Sequence, residues 1–268
     1  TSEKEEFEFP IIKSTIGENA VDISSLYKKT GLFTFDPGFV STASCKSAIT
    51  FIDGDAGILM HRGYDIKDLA ENSTFTEVFF ALLYGDLPNK NELQNFAKSL
   101  TSKMEIDEEI KNLIKTFDKQ KSHPMAIMMS AISILSAKYG DLYSPSDSKS
   151  IENTAIDLVA KVCTIAAFVF RYTNNLDLSN FDINSNFTFE QNLVTIMFKG
   201  TNSIKHFDTL VAAFNNILIL HADHEQNAST STVRLVASTD ANIYSSVVAG
   251  FAALWGPLHG GANEAVIE

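Results

Sequence analysis

Up to residue 65 the apolar positions fall singly or in short runs between Gly, Asp and Pro; from Ile66 onward they recur at helical spacing. FEFPIIKSTIG, GLFTFDPGFV and SAITFIDGDAGILMHRGY carry β-branched and aromatic residues between turn formers, which predicts extended structure. IKDLAENS then opens a short helix, and TFTEVFFALLYG (74–85) places Phe75, Val78, Phe79 and Leu82 on one face before stopping at Gly85. LPNKNELQNFAKSLTSK and IDEEIKNLIKTFDK read as amphipathic helices with Lys, Glu and Asp on their polar faces. HPMAIMMSAISILSAKYG (123–140) is apolar nearly all round, so it predicts a buried helix starting after Pro124.

SPSDSKSIEN (144–153) reads as a polar loop, followed by a helix over 153–171 and a second loop, TNNLDLSNFDINSN (173–186). Further helices are predicted over 189–200, 206–224, 229–238 and 242–254. No internal repeat, low-complexity tract or linker divides the chain. The pattern defines a mainly α fold: a β-rich N-terminal region over 1–65 leads into a multihelical domain over 66–268.

Composition narrows the function. A chain of 268 residues with 45% hydrophobic and 20% charged residues is ordinary for a globular protein. A net charge of −12 argues against nucleic acid and against an anionic membrane face. The acidic start TSEKEEFEFP lacks the basic and apolar parts of a signal peptide, and the runs CTIAAFVF and VVAGFAALW are too short to span a bilayer. Cys45 and Cys163 have no metal-site spacing and are too few for a disulfide framework. They read as reduced thiols of a cytoplasmic protein.

Candidate chemistry concentrates near the end, in LHADHEQNASTSTVR (220–234) and WGPLHGGANEA (255–265). Gly256 and Pro257 stop one helix, Gly260 and Gly261 permit a tight turn, and GANEAVIE can open the next helix. His259 therefore sits on a turn beside a helix N-terminus, whose partial positive charge favours a neutral imidazole. A neutral ring held there can donate to a carbonyl that is gaining negative charge. His221 and His224, three apart, share a face if they are helical. No HExxH or repeated ExxH motif accompanies them, so a hydrogen-bonded pair outweighs a metal site. Asn227 is placed to cap the helix starting at Ala228, which alone accounts for it.

These two segments resemble the citrate synthase family. FDPGFVSTASCKSAITFIDGDAGILMHRGYDIKDLAENSTFTEVFFALLYGDLP (35–88) is similar to its N-terminal region, and SHPM (122–125) to a segment of its bacterial branch. The resemblance covers most of the chain, is weakest over 140–206, and implies a citrate-synthase-like large domain ending at or near the start of a small domain. It implies condensation of oxaloacetate with acetyl-CoA and hydrolysis of the thioester, with no cofactor and no metal. His259 matches the histidine that hydrogen-bonds the forming enolate. His224 matches an oxaloacetate contact, His221 its buttress, and Asn227 a further substrate contact. The backbone around Leu258, Gly260 and Gly261 is implied to lie against CoA. The carboxylate base, a further catalytic histidine and the arginines that clamp the substrate are implied to lie beyond Glu268, so this segment alone is expected to be inactive. The resemblance also implies a homo-oligomer, dimeric or hexameric. The nearly all-apolar helices 123–140 and 242–254 point the same way, because one helical layer cannot cover them.

Propionyl-CoA chemistry, as in 2-methylcitrate synthase, differs by one methylene that no single residue here decides. A helical assembly module without catalysis is the reading from a different class, against which the imidazole between glycines at His259 counts. His61 and His206 read as structural, Met125, Met128 and Met129 as core, and Arg62 as a partner for Asp55 or Asp65. In some bacterial relatives the SHPM region contributes to an inhibitory NADH site. Here Lys119, Lys121 and Lys161 are offset by Asp118 and Asp157, which predicts poor NADH control.

Overall fold

Short paired segments, not long strands, make up the first 65 residues. In the computed structural model, which describes residues 5–140, 147–179 and 182–267, β1 (Ile11–Ile12) pairs antiparallel with β2 (Ala20–Val21). β3 (Thr50–Asp53), β4 (Ile58–His61) and β5 (Tyr64–Asp65) form an antiparallel sheet in that order. The extended expectation holds for these pairs but misses α1 (Leu26–Thr30), a single helical turn and a half ended by Gly31 in the left-handed region. Arg62 forms no pair with Asp55 or Asp65. Its Nη1 donates to Ala48 O (3.1 Å) and its Nη2 to Leu82 O (2.7 Å), tying the sheet to the helices. The Ala48 and Leu82 carbonyls offered acceptors that the two ends of the guanidinium fork could reach together, and these won over a single exposed carboxylate.

Local capping sets the next helices. Asp65 accepts from Lys67 N at the start of α2 (Ile66–Asn72). Thr74 with Glu77 and Asn89 with Glu92 form capping boxes at α3 (Phe75–Tyr84) and α4 (Lys90–Ser102). α5 (Glu108–Ile114) follows, and Pro124 then occupies the first turn of α6 (Pro124–Tyr139), with His123 as its cap.

α7 (Ser148–Thr173) is longer than its apolar pattern predicts, beginning within the stretch read as a loop over 144–153. Residues 141–146 of that region and 180–181 of the second loop lie outside the described residues. Ser148 and Lys149 are exposed, so the first turn of α7 is polar like a loop although its backbone is helical. α7 is also long and apolar enough to cross a membrane by length and composition. Here it packs against α4, α5, α6 and the following helix, α8 (Phe189–Phe198). One of its faces contributes Leu158, Ile165, Phe168 and Val169 to a core shared with α5 and α6; another gives Ile156, Ala160 and Ala167 to a core shared with α2, α3, α4 and α8. Arg171, only 2% exposed, donates from Nη1 to the carbonyls of Ile196, Met197 and Lys199, and so closes the end of α8.

A short 3₁₀ turn (Asn202–His206) leads into α9 (Phe207–Leu220), which stops before the expected residue 224. α10 (Ala228–Ala237), α11 (Ile243–Leu254) and α12 (Gly260–Ile267) complete the chain. α6 and α11 pack on each other, so much of their all-round apolarity is used inside this chain. α10 crosses α11 closely: a Cβ added at Gly250 would lie 2.6 Å from Val233 Cγ2. That approach brings the first turn of α10 to the turn that follows α11.

Candidate functional site

The two histidine segments meet through α10. Asn227 caps this helix, its side chain accepting from Thr230 N at 3.0 Å, so the capping role expected from sequence is present. Within the first turn, Ser229 Oγ lies 2.8 Å from His259 Nε2. With Nε2 engaged by the hydroxyl, Nδ1 is the ring nitrogen left for a ligand. If the serine donates, Nδ1 carries the proton and becomes a hydrogen-bond donor. This is the arrangement needed to stabilise an oxyanion, and neither residue in the pair needs to change charge to provide it.

His259 is positioned by the turn 256–261. Its own N–H donates to Gly256 O (2.9 Å), and Gly261 N donates to the same oxygen (3.1 Å). Gly260 is required by space: a Cβ there would lie 2.4 Å from Leu254 O, a backbone atom that cannot rotate away. The glycines thus begin α12 and do not remain in the turn as the sequence suggested. Leu258 points outward and is 99% exposed, while His259, Gly260 and Gly261 are half-buried. Behind the turn, the ring of Trp255 stacks on His123, centroids 5.0 Å apart, and His123 Nε2 lies 3.1 Å from Glu264.

His221 and His224 do not share a helical face. α9 ends at Leu220 with His221 as its C-cap, and His221 Nδ1 lies 2.8 Å from Ile217 O. His224 sits in the following loop, exposed, with its ring centroid 6.1 Å from that of His221. The loop is bent by Glu225, whose φ of 55° is left-handed, and Glu225 Oε1 accepts from Ile52 N (2.9 Å) on β3. A long-range tether therefore ended the helix early, with no signal in the local sequence. His221 bonds back onto the last turn of its own helix, and both imidazoles are exposed.

Sequence reasoning missed Ser229, Glu225 and Trp255 as parts of this region. Ser229 carried a weak signal, a hydroxyl in the first turn beside the capping Asn227, but nothing linked it to a residue 30 positions away. No group of three or more His, Cys, Asp or Glu side chains is placed to hold a metal among the described residues. Burial pushes the Cys163 thiol up to about 12, and both cysteines are free. A cavity of about 740 Å³ lies elsewhere, against residues 12–24 and 43–51, and contains none of these histidines. The three lysines considered for dinucleotide binding do not converge. Lys119 lies over the Tyr172 ring, Lys121 pairs with Asp118 (3.7 Å), and Lys161 pairs with Asp157 (3.1 Å).

Comparison with known proteins places the chain in a family. The family model described as "Citrate synthase, C-terminal domain" matches residues 38–268. The chain belongs to the citrate synthase family and has its mainly helical fold. It is 30% identical to citrate synthase from Pyrobaculum aerophilum, covering 98% of this chain and 62% of that one, with a TM-score of 0.73. Citrate synthase from Thermotoga maritima is 28% identical over 87% of this chain and 59% of its own, with a TM-score of 0.73. A ternary complex of carboxymethyl coenzyme A and oxaloacetate with citrate synthase from Thermoplasma acidophilum is 28% identical over the same shares, with a TM-score of 0.77. The chain thus spans about three fifths of the length of these structures.

Proposed function

We propose that the protein to which this chain belongs is a citrate synthase, an acyltransferase that condenses oxaloacetate with acetyl-CoA and hydrolyses the product thioester. The observation that carries the reading is His259, held by Ser229 on a glycine turn with one ring nitrogen left for substrate. Removing a proton from a thioester methyl creates an enolate, and a preorganised donor at its oxygen is commonly worth about 3–4 kcal/mol. His259 supplies that donor. His224, exposed on a tethered loop, contacts oxaloacetate, with His221 behind it and Asn227 at the helix start beside it. The backbone of Leu258, Gly260 and Gly261 lies against the CoA arm. The complex of a family member with oxaloacetate and a CoA analogue supports this substrate pair.

Large apolar side chains exposed on α9 and α10, Ile217 and Leu220 on the first and Leu235 on the second, favour a homo-oligomer. Oxaloacetate-dependent release of CoA by the full-length enzyme tests the function. Compared side by side, acetyl-CoA and propionyl-CoA separate it from 2-methylcitrate synthesis. His259→Ala is expected to lower kcat by a factor on the order of 10²–10³. His224→Ala is expected to weaken oxaloacetate binding. An enzyme that releases no CoA, or a His259→Ala variant with unchanged kcat, would refute the assignment.

A further inference from the structure

Two buried side-chain nitrogens have no hydrogen-bond partner among the described residues, Arg62 Nε and His61 Nε2. His61 closes β4 and is 1% exposed. Its Nδ1 lies 2.9 Å from Thr50 Oγ1, the residue opposite it in register on β3. When the threonine hydroxyl donates to Nδ1, Nε2 carries the ring proton and is a donor with nothing to receive it. Buried polar groups seldom stay in that state, because they lose water without gaining a partner.

The surroundings supply an acceptor. Asp223 and His224 lie near enough to act electrostatically on the His61 ring, the carboxylate favouring its charged form and the imidazole opposing it. Arg62, the other charged neighbour, is committed to the carbonyls of Ala48 and Leu82. The same sheet already grips the loop on the far side of His224, through Ile52 N and Glu225 Oε1. Asp223 is itself bonded within the loop, one of its oxygens accepting from Glu225 N at 3.1 Å. The sheet therefore holds one tether to residue 225 and, two residues away along the same loop, an unused donor within electrostatic reach of residue 223.

We propose that His61 is a positioning residue for the oxaloacetate loop: its Nε2–H donates to the Asp223 carboxylate when ligand draws the loop onto the sheet, which fixes His224 between two tethers. The inference rests on the reading of His224 as an oxaloacetate contact. Burial keeps the ring neutral, so Nδ1 stays available to Thr50 while Nε2 donates. His61 touches neither substrate nor the reacting atoms. Its effect is on the affinity for oxaloacetate, not on the chemical step.

The test uses the full-length enzyme with His61→Phe, which keeps a planar ring and removes both nitrogens, and His61→Gln, whose side-chain amide can reach the position of Nε2. Oxaloacetate binding by calorimetry, steady-state kinetics and thermal unfolding are measured for each. His61→Phe is expected to raise both Kd and KM for oxaloacetate roughly fivefold to tenfold, the equivalent of one hydrogen bond, with kcat within about twofold of the unaltered enzyme. His61→Gln is expected to recover most of that affinity. Oxaloacetate affinity unchanged in His61→Phe overturns the proposal. So does an affinity loss that tracks the fall in Tm equally in both variants, since that marks a ring that only fills space. If the unaltered enzyme binds no oxaloacetate at all, the reading of His224 fails and takes this inference with it.

Discussion

Ser229→Ala isolates how His259 is held without altering His259 itself. The hydroxyl lies 2.8 Å from Nε2, and its removal leaves the ring free to rotate and to place its proton on either nitrogen. A neutral hydrogen bond of this kind contributes about 0.5–1.5 kcal/mol net, which predicts a fall in kcat of about threefold to tenfold. The loss should be in kcat more than in KM, because the enolate oxygen, not the ground-state thioester, needs the oriented donor. Thiol release at saturating oxaloacetate and acetyl-CoA measures it in the full-length enzyme. The double variant gives the sharper reading. With His259 already replaced by Ala, removing Ser229 should cost less than about twofold, because the serine acts only through that ring. Full activity in Ser229→Ala, or equal losses with and without His259, would refute the coupling.

Asn227→Ser keeps a side-chain oxygen at the α10 cap, so stability should hold while oxaloacetate affinity falls; a loss of Tm with unchanged affinity would leave Asn227 only its capping role. Stability should also depend on His61 in mild acid. Burial lowers its folded-state pKa below the ordinary 6.5, so its contribution is complete above about pH 6.5 and is lost as pH falls through the folded value. Between pH 6.5 and 5 the Tm of the unaltered enzyme should therefore fall more steeply than that of His61→Gln, and parallel curves would contradict this. NADH should inhibit weakly, since Lys161 is already paired with Asp157 and Tyr244 donates to that same carboxylate (3.1 Å). Strong inhibition at micromolar NADH in a low-salt titration would show a dinucleotide site built from other residues.

What was legible in the sequence was what is encoded locally. α3, α4 and α8 start at capping boxes whose two members lie three residues apart, so the pattern places them closely. The start of α7 was hidden because its first turn faces water and is as polar as a loop. The end of α9 was hidden for the opposite reason. The 221–227 stretch is shaped by Glu225 reaching Ile52, across 173 positions of sequence. At the site, His259, His224, His221 and Asn227 stood out by residue type and by family likeness, but the contacts that orient them did not. Ser229 to His259 and Thr50 to His61 are pairings made by the fold, and Ser229, Thr50 and His61 taken alone look unremarkable.

Trp255 is the only tryptophan in the 268-residue sequence, and it ends α11 four positions before His259. It is 40% exposed and stacked on His123, the cap of α6, whose Nε2 meets Glu264 of α12. Within this segment, all long-wavelength ultraviolet emission therefore originates beside the turn that carries His259. A ligand that draws the turn inward changes both the water around the indole and its overlap with the imidazole, and the emission maximum and intensity move together. Emission followed against added oxaloacetate in a rapid-mixing fluorimeter is expected to report such a movement of the turn with no label attached.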